Sequence, residues 1–353
     1  MTSRFPKAIA DERRSEVRTS FRRMLDDART LGVALILLAG DIFDSDKPLR
    51  RDRDFFFAAV RDCPEIEFLY LRGNHDTDGV SGGVPDDLPN LHLFSEEWTT
   101  YRFGDVAVSG LELSGSNARS CASSLPRPDA RIHIAMLHGQ TAETAGRGLI
   151  NVRLFRGRGL DYLALGHVHA YSEHYFDKSD PRGGKYCYAG CLEGRGFDEP
   201  GPHGYVLLDT DEVTPTGELA SRFVPAACRT IVELDADVSG AADAFSAVRS
   251  AAEQVRGRIT PADLLRLNLR GDVSFDNTDL AADAEEALAD LCYFVSVKDR
   301  TQRRIDPADY EGDLSLRGEF IRTVLADASL SDDEKQKIVS LGLRALGGRD
   351  VEV

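Results

Sequence analysis

The spacing of apolar residues at the start of the chain predicts an alternation of helices and buried strands. Residues 11–30 carry an apolar stripe at helical spacing, formed by Val17, Phe21, Met24, Leu25 and Ala28. The continuous apolar run VALILLAGD at 33–41 is typical of a strand buried on both faces. A helix over 50–63 and a second buried strand over 66–74 follow. The order is therefore helix, strand, helix, strand.

The middle of the chain predicts more strands with few helices between them. Strand-like segments lie at 106–113, 131–139, 162–169, 185–190 and 204–209. This arrangement favours a layered α/β domain over a doubly wound one, and we assign it residues 1–225.

The pattern changes after residue 225. Strands over 229–237, 264–273 and 293–299 alternate with helices over 241–255 and 281–291, which predicts a small βαβαβ domain at 226–302. Only helical patterns follow, over 315–328 and 331–348, and the last begins with a capping box of Ser331 and Glu334. We therefore expect a C-terminal helical segment at 303–353.

Composition places the chain among globular proteins of a reducing compartment. Hydrophobic residues make up 42% and charged residues 29%, and no apolar run is long enough to cross a membrane. The start of the sequence does not resemble a secretory signal, and the six cysteines show no paired framework. We expect a cytoplasmic protein without a membrane segment.

Side chains that can bind metals follow four of the predicted strands. They are Asp41, then Asn74 with His75, then His138, and finally His167 with His169. Open α/β sheets bind ligands beyond the carboxyl ends of their strands, so these side chains should meet at one rim. Gly166 would permit a turn that brings both final histidines to one object. Asp76 is expected to bond backbone amides instead of metal.

The ligand types indicate a phosphoester hydrolase. Oxygen and imidazole ligands without thiolate favour manganese, iron or zinc over magnesium or calcium. One carboxylate can bridge two ions about 3.5–4 Å apart, which stabilise the attacking and leaving oxygens of phosphoryl transfer. A histidine beside the ligands can protonate the leaving oxygen.

Four motifs in the same order carry a family resemblance: GDIFD at 40–44, GNHD at 73–76, LHG at 137–139 and GHVH at 166–169. They resemble the calcineurin-like metallophosphoesterases. LLAGDIFDSDKP at 37–48 and GRGFDEPGPHGY at 194–205 resemble the DNA-repair branch, the SbcD-type nucleases and their YhaO-like bacterial relatives. The resemblance covers about residues 5–225 and implies a layered αββα sandwich, followed by a capping domain and C-terminal helices.

The resemblance also implies roles for individual residues. Asp41 would bridge two divalent ions, with manganese favoured and iron or zinc as alternatives, and Asn74, His138 and His167 would complete one site. His169 would belong to the other site. His75 would stabilise the transition state and assist the leaving group.

The family pattern begins with a strand ending in Asp-x-His, which supplies two more ligands to the site of His169. No Asp-x-His precedes Asp41 here. Two explanations stay open: the protein begins about twenty residues upstream, or the chain is short and its second site keeps only Asp41 and His169. In this form we expect the second ion to be held poorly and activity to be impaired.

Charge adds a candidate substrate surface. The net charge of −16 argues against binding nucleic acid by charge alone, yet residues 117–160 hold seven arginines against two acids, a local +5. Four of the arginines lie between two ligand-bearing strands and could meet phosphates: Arg147, Arg153, Arg156 and Arg158. The alternative, which charge alone favours, is a solvated loop in an arginine-rich chain.

Three functions fit these observations. The first is a DNA exonuclease, 3′-to-5′ by resemblance, that works with an SbcC-like coiled-coil ATPase and forms a homodimer. The apolar faces of residues 316–325 and 338–346 are the expected ATPase contact. The second is a small-molecule phosphoesterase, and the third is a non-catalytic subunit that binds a partner or DNA.

Overall fold

The computed structural model describes residues 5–43, 49–76, 85, 87–180, 183–214, 217–275, 277–303 and 310–346. The chain divides into two compact units, residues 1–230 and 231–353. The helices are α1 (Lys7–Thr30), α2 (Arg50–Arg61), α3 (Ala244–Val255), α4 (Leu280–Leu288), α5 (Leu316–Ala326) and α6 (Asp332–Leu346). Each lies where the apolar spacing predicts a helix. None of these described helices is long and apolar enough to cross a membrane.

The strands of the first unit are β1 (Leu35–Leu38), β2 (Glu67–Tyr70), β3 (Leu91–Leu93), β4 (Thr99–Phe103), β5 (Val106–Gly110), β6 (Ile132–His138), β7 (Gln140–Thr141), β8 (Leu149–Ile150), β9 (Tyr162–Gly166), β10 (Ser172–Tyr175), β11 (Lys185–Tyr188), β12 (Gly204–Val213) and β13 (Leu219–Pro225). Those of the second unit are β14 (Ile231–Asp237), β15 (Leu264–Arg270), β16 (Asp272–Val273), β17 (Phe294–Asp299) and β18 (Gln302–Arg303).

One parallel sheet and one mixed sheet form the body of the first unit. One is β1-β2-β3, all parallel, and the other has the order β10-β11-β9-β6-β5-β4, in which β5, β6, β9 and β11 run parallel. α1 and α2 pack on the first sheet through residues such as Phe21, Phe56 and Val60. Leu69 and Leu71 pack with Ile134 and Met136 of the second sheet. The layered α/β prediction is confirmed.

The αββα resemblance implies α-helices on the outer face of the second sheet, but the described residues place mainly turns there. Within the described residues this outer layer consists of turns around Cys121 and the short 3-10 helix Val152–Phe155, which bury Phe155 against Leu163 of β9. The packing role of an outer helix is therefore filled by compact turns.

β1 is shorter than predicted and lies at the edge of its sheet. It covers four residues, and β2 is its strand partner in the described part of the chain. Ile36 and Leu38 pack toward the helices, while Leu35 and Leu37 pack toward the second sheet. β1 is thus enclosed on both faces with one backbone edge unpaired by any described strand. An additional upstream strand stays a prediction.

One face of α1 carries a buried charge network that the apolar spacing did not reveal. Arg13, 2% exposed, donates to Glu193 at 2.7 Å and also to Glu16. Arg229 Nε lies 2.6 Å from the Glu16 carboxylate. Val17, predicted in the apolar stripe, is instead 41% exposed. Paired charges, not Val17, join this turn of the helix to the loop at Glu193.

The second unit contains the predicted βαβαβ arrangement. β14, β15 and β17 form a parallel sheet in that order, and α3 and α4 pack on one face of it. α5 and α6 pack on each other through Ile321 and Val339. The predicted capping box is present, since Ser331 and Glu334 bond reciprocally. Residues 347–348, the predicted helix end, lie outside the described residues, and division at 225/226 and 302/303 stays a prediction.

Candidate metal centre

Four side chains from the ends of four strands converge at one rim of the first unit. Asp41 follows β1, Asn74 follows β2, His138 ends β6 and His167 directly follows β9. Ligand atoms of Asp41, His138 and His167 all lie within 4.8 Å of one another. Asn74 Oδ1 is 3.0 Å from His138 Nε2 and 3.2 Å from His167 Nδ1. We call Asp41, Asn74, His138 and His167 the rim cluster.

The hydrogen bonds of His138 show that the rim cluster suits a cation. His138 Nδ1 lies 2.8 Å from the carbonyl oxygen of Ala39, which can only accept, so Nδ1 carries a proton. Nε2 faces Asp41 Oδ2 at 3.2 Å and Asn74 Oδ1 at 3.0 Å. In the neutral ring this nitrogen is an acceptor facing two acceptors. Either a proton on Nε2 or a metal ion relieves that conflict.

The pKa values at the rim cluster follow from this crowding. Burial raises the pKa of Asp41, but the hydrogen bond and charge of His138 outweigh it, so the pKa lies below its ordinary value. Burial lowers the pKa of His138, and Asp41 reverses this, so that pKa lies above its ordinary value. Burial and then the charge of His138 lower the pKa of His167. His167 therefore favours its neutral, ligand-competent form.

Backbone geometry brings the strand ends unusually close. Asp41 has φ 55° and His167 has φ 97°, conformations that side-chain-bearing residues rarely adopt. A Cβ at Gly73 would collide with Asp41, and one at Gly166 would collide with the carbonyl of Ala39. Gly166 therefore permits close approach, while the left-handed turn falls on His167 itself. Such local strain is common at functional sites.

Asp76 holds the two loops of the rim cluster together, as predicted, through backbone amides. Its buried carboxylate accepts N–H bonds from Ile42 at 3.3 Å, Phe43 at 3.1 Å and Gly73 at 3.0 Å. These bonds join the segment after β1 to the segment after β2. The Asp76 carboxylate thus helps to fix the residues next to Asp41 and Asn74.

His75, the predicted leaving-group acid, lies at the same rim with an exposed residue surface. Its backbone N–H donates to Asp41 Oδ1 at 3.0 Å. Its backbone is thereby fixed beside the rim cluster, while its imidazole does not belong to the group of mutually close ligand atoms.

His169 does not join the rim cluster. Its Nδ1 lies 2.6 Å from Glu199 Oε1 and 3.1 Å from a terminal guanidinium nitrogen of Arg195. Burial raises the pKa of Glu199, but His169 and Arg195 outweigh it and bring that pKa to about 2. Arg195 and Glu199 were not among the predicted site residues, although both lie in the GRGFDEPG motif at 194–201. The two histidines separated by one residue therefore face different surroundings.

The four candidate substrate arginines do not all lie at the same end of the strands of the second sheet. Arg147 precedes β8, which pairs with β7 just beyond the end of β6, and Arg153 approaches Glu143 of the same region at 3.7 Å. Arg156 pairs with Asp177 beyond the amino ends of β9 and β11, opposite the rim cluster. Arg158 bonds the Leu154 carbonyl at 3.4 Å. Position favours Arg147 and Arg153 as phosphate contacts, and the role of all four stays a prediction.

Comparison with known proteins identifies the first unit. Residues 16–171 match the calcineurin-like phosphoesterase family. The chain is 30% identical over 222 residues to the uncharacterized metallophosphoesterase YhaO of Bacillus subtilis, which covers 58% of this chain and 52% of that protein. It is 23% identical over 342 residues to the DNA double-strand break repair protein Mre11 of Methanopyrus kandleri, covering 87% and 70%. The chain thus spans about half the length of YhaO. Residues 16–171 of this chain therefore carry a calcineurin-like phosphoesterase domain.

Proposed function

We propose that this chain is a metal-dependent phosphodiester hydrolase acting on DNA, an SbcD-type exonuclease of 3′-to-5′ polarity that serves DNA repair in the cytoplasm. The observation that carries the proposal is the convergence of Asp41, Asn74, His138 and His167 at the ends of four strands. A carboxylate, an amide oxygen and two imidazoles form a ligand set for manganese, iron or zinc.

Similarity beyond the catalytic unit favours DNA over small substrates. The match to Mre11 extends over 342 residues, so it must include part of the second unit. A relative named for double-strand break repair therefore resembles this chain outside the rim cluster as well. YhaO, by its name, supports phosphoesterase chemistry alone.

The residues of the rim supply binding, orientation and proton transfer. Asp41, Asn74, His138 and His167 would hold one divalent ion, and Asp41 with His169 would offer ligands to a second. When bound, such an ion polarises phosphoryl oxygens and lowers the pKa of water. His75 is exposed at the rim and would give a proton to the leaving oxygen. Arg147 and Arg153 would contact backbone phosphates.

The partners proposed for this activity are DNA, an SbcC-like coiled-coil ATPase and a second copy of the chain. Apolar residues on α5 and α6 stay exposed, as an ATPase contact would require: Leu316 at 71%, Ile338 at 36% and Leu341 at 38%. Binding of an isolated coiled-coil fragment to wild-type chain and to Leu316→Asp would test that surface.

The activity test uses duplex DNA labelled separately at its 3′ and 5′ ends, with bis(4-nitrophenyl) phosphate as a small substrate. With Mn²⁺ we expect loss of the 3′ label first, at a rate impaired by the poorly held second ion, and no loss with chelator or with His138→Gln. Hydrolysis of the small diester without DNA cleavage would replace the proposal with a small-molecule phosphoesterase. Metal binding without either hydrolysis would indicate a binding subunit.

A further inference from the structure

A second hydrogen-bonded network lies behind His169, separate from the rim cluster. We propose that Glu199 is a positioning residue that holds His169 with its proton on Nδ1, so that Nε2 is the ring nitrogen offered to a divalent ion. This inference rests on the metal-binding part of the proposed function. It does not require that DNA be the substrate.

The distance between His169 and Glu199 fixes where the proton lies. An ionised carboxylate can only accept hydrogen bonds, and Glu199 Oε1 is 2.6 Å from His169 Nδ1. A lone pair on Nδ1 would face a negative oxygen at that distance, so Nδ1 must carry the hydrogen. The neutral ring then has its lone pair on Nε2, the form that metal ions bind.

Arg195 explains why Glu199 stays ionised and in place. Its terminal guanidinium nitrogen donates to the same Oε1 at 3.0 Å, and its backbone N–H donates to Oε2 at 2.8 Å. Two donors that converge on one oxygen lie close together, which accounts for the 3.1 Å between this guanidinium nitrogen and His169 Nδ1. The same nitrogen lies 3.5 Å from His169 Nε2, so a metal ion bound there would share the Nε2 side of the ring with Arg195. Glu199 thus receives charge-assisted bonds on both oxygens.

A buried pair of side chains fixes the backbone beneath Glu199. His203, 3% exposed, donates from Nε2 to the Glu199 carbonyl at 2.9 Å. Its Nδ1 accepts from the Cys191 thiol at 3.2 Å, and the Cys191 backbone N–H donates to the His169 carbonyl at 3.0 Å. Both Glu199 and His169 are therefore anchored to the same short stretch around Cys191.

The same tautomer is set for His138 by a different partner. There a backbone carbonyl, that of Ala39, accepts from Nδ1. Partners of this kind orient ligating histidines, and their removal typically weakens metal binding about 10–100-fold. The chain thus prepares Nε2 of two histidines before any ion arrives, one with a carbonyl and one with Glu199.

The first test needs no variant of Glu199. Nitrogen-15 NMR of histidine-labelled, metal-free protein, with the His169 signal assigned by its loss in His169→Gln, reports the tautomer directly. We expect a proton on Nδ1 of His169. A proton on Nε2 in the neutral ring would overturn the proposal, whether or not any Glu199 variant folds.

The second test measures Mn²⁺ affinity from the free-ion electron paramagnetic resonance signal. We expect His169→Gln to weaken one binding step, and Glu199→Gln to weaken the same step about 10–100-fold. Glu65→Gln, which alters an exposed carboxylate beside Arg29, is the matched control and should resemble wild type. Wild-type affinity in either His169→Gln or Glu199→Gln would overturn the proposal. Absence of DNA cleavage with these results intact would refute only the proposed function.

Discussion

His167 and His169 are separated by one residue, yet they lie in opposite chemical settings. His167 joins Asp41, Asn74 and His138, a group whose members turn acceptor atoms toward one another. His169 faces the carboxylate of Glu199 and the guanidinium of Arg195, so its nearest charges are already balanced. The rim cluster needs a proton on His138 Nε2 or a metal ion to separate its facing acceptors, whereas the charges around His169 are already paired.

The backbone explains how neighbouring histidines diverge so sharply. Residues i and i+2 of an extended strand face the same side, so a continued strand would keep the two imidazoles together. His167 interrupts the strand with a left-handed conformation directly at the end of β9. A Gly-His-x-His motif therefore need not place both imidazoles at one point. It can deliver one ligand to a cluster and a second to an adjoining network.

The largest effect should come from removing a member of the rim cluster. Asp41→Asn and His138→Gln keep side-chain size but remove a ligand, so the loss in metal affinity should exceed the ~100-fold typical of supporting residues. DNA hydrolysis should fall to background in both. Steady-state rates with saturating Mn²⁺ would check this, with Glu65→Gln as control. Rates near wild type in either variant would show that the rim cluster does not hold the metal ion needed for hydrolysis.

His75→Gln should come next, because a proton donor typically contributes about 10²–10⁴-fold to rate. Its imidazole lies outside the rim cluster, so Mn²⁺ affinity should be unchanged. The rate loss should be much smaller with bis(4-nitrophenyl) phosphate, whose leaving group needs no proton. Equal losses on DNA and on this diester would contradict the role of His75 as an acid.

Asp76→Asn should lower the free energy of unfolding by about 2 kcal/mol, because bonds to a charged acceptor are lost and an amide N–H₂ faces backbone donors. Urea denaturation of metal-free protein at pH 7 measures this. Asp87→Asn, which alters an exposed carboxylate paired with Arg61, is the control. Equal stability of both variants would show that the two loops are held by other contacts.

A smaller effect is expected from pH on the metal-free protein. The raised pKa of His138 means that its contribution to stability is present below the ordinary histidine pKa of about 6.5 and is lost as pH rises through the folded-state value. The lowered pKa of Asp41 means that its contribution is lost as pH falls through its own folded-state value. His138→Gln should therefore cost more stability at pH 6 than at pH 9. An equal cost at both would contradict a charged Asp41–His138 pair.

The smallest effects concern the arginines. Arg147→Ala should weaken DNA binding severalfold and reduce its dependence on log salt concentration by about one unit, as loss of one phosphate contact does. Arg156→Ala should leave both unchanged, because Arg156 lies with Asp177 at the opposite edge of the sheet. Fluorescence anisotropy at several salt concentrations measures DNA affinity and its salt dependence for both variants. Equal effects of the two substitutions would show that Arg147 is not favoured over Arg156 as a phosphate contact.

Much of this architecture could be predicted because it depends on local periodicity. Helical spacing located α1 to α6 within a few residues, and strand ends located the rim cluster, since parallel strands present their carboxyl ends at one edge. For that reason the sequence was sufficient to predict Asp41, Asn74, His138 and His167 as neighbours. The short length of β1 could not be predicted, because a continuous apolar run does not mark where strand pairing stops.

Features that join distant parts of the chain escaped prediction. The buried Arg13 and Glu16 read as ordinary polar positions on α1, and their partners Glu193 and Arg229 lie far along the sequence. The link between His169 and Glu199 likewise depends on how a loop folds back, which spacing does not encode. Such pairs become visible only when side chains are placed in three dimensions.

The most direct measurement is a Mn²⁺ titration of metal-depleted protein, comparing wild type with His167→Gln and His169→Gln. Our interpretation predicts that His167→Gln loses the tightest site, while His169→Gln keeps one ion bound with nearly wild-type affinity. Wild-type binding by His167→Gln, or loss of all tight binding in His169→Gln, would contradict the assignment of the rim cluster as the metal centre.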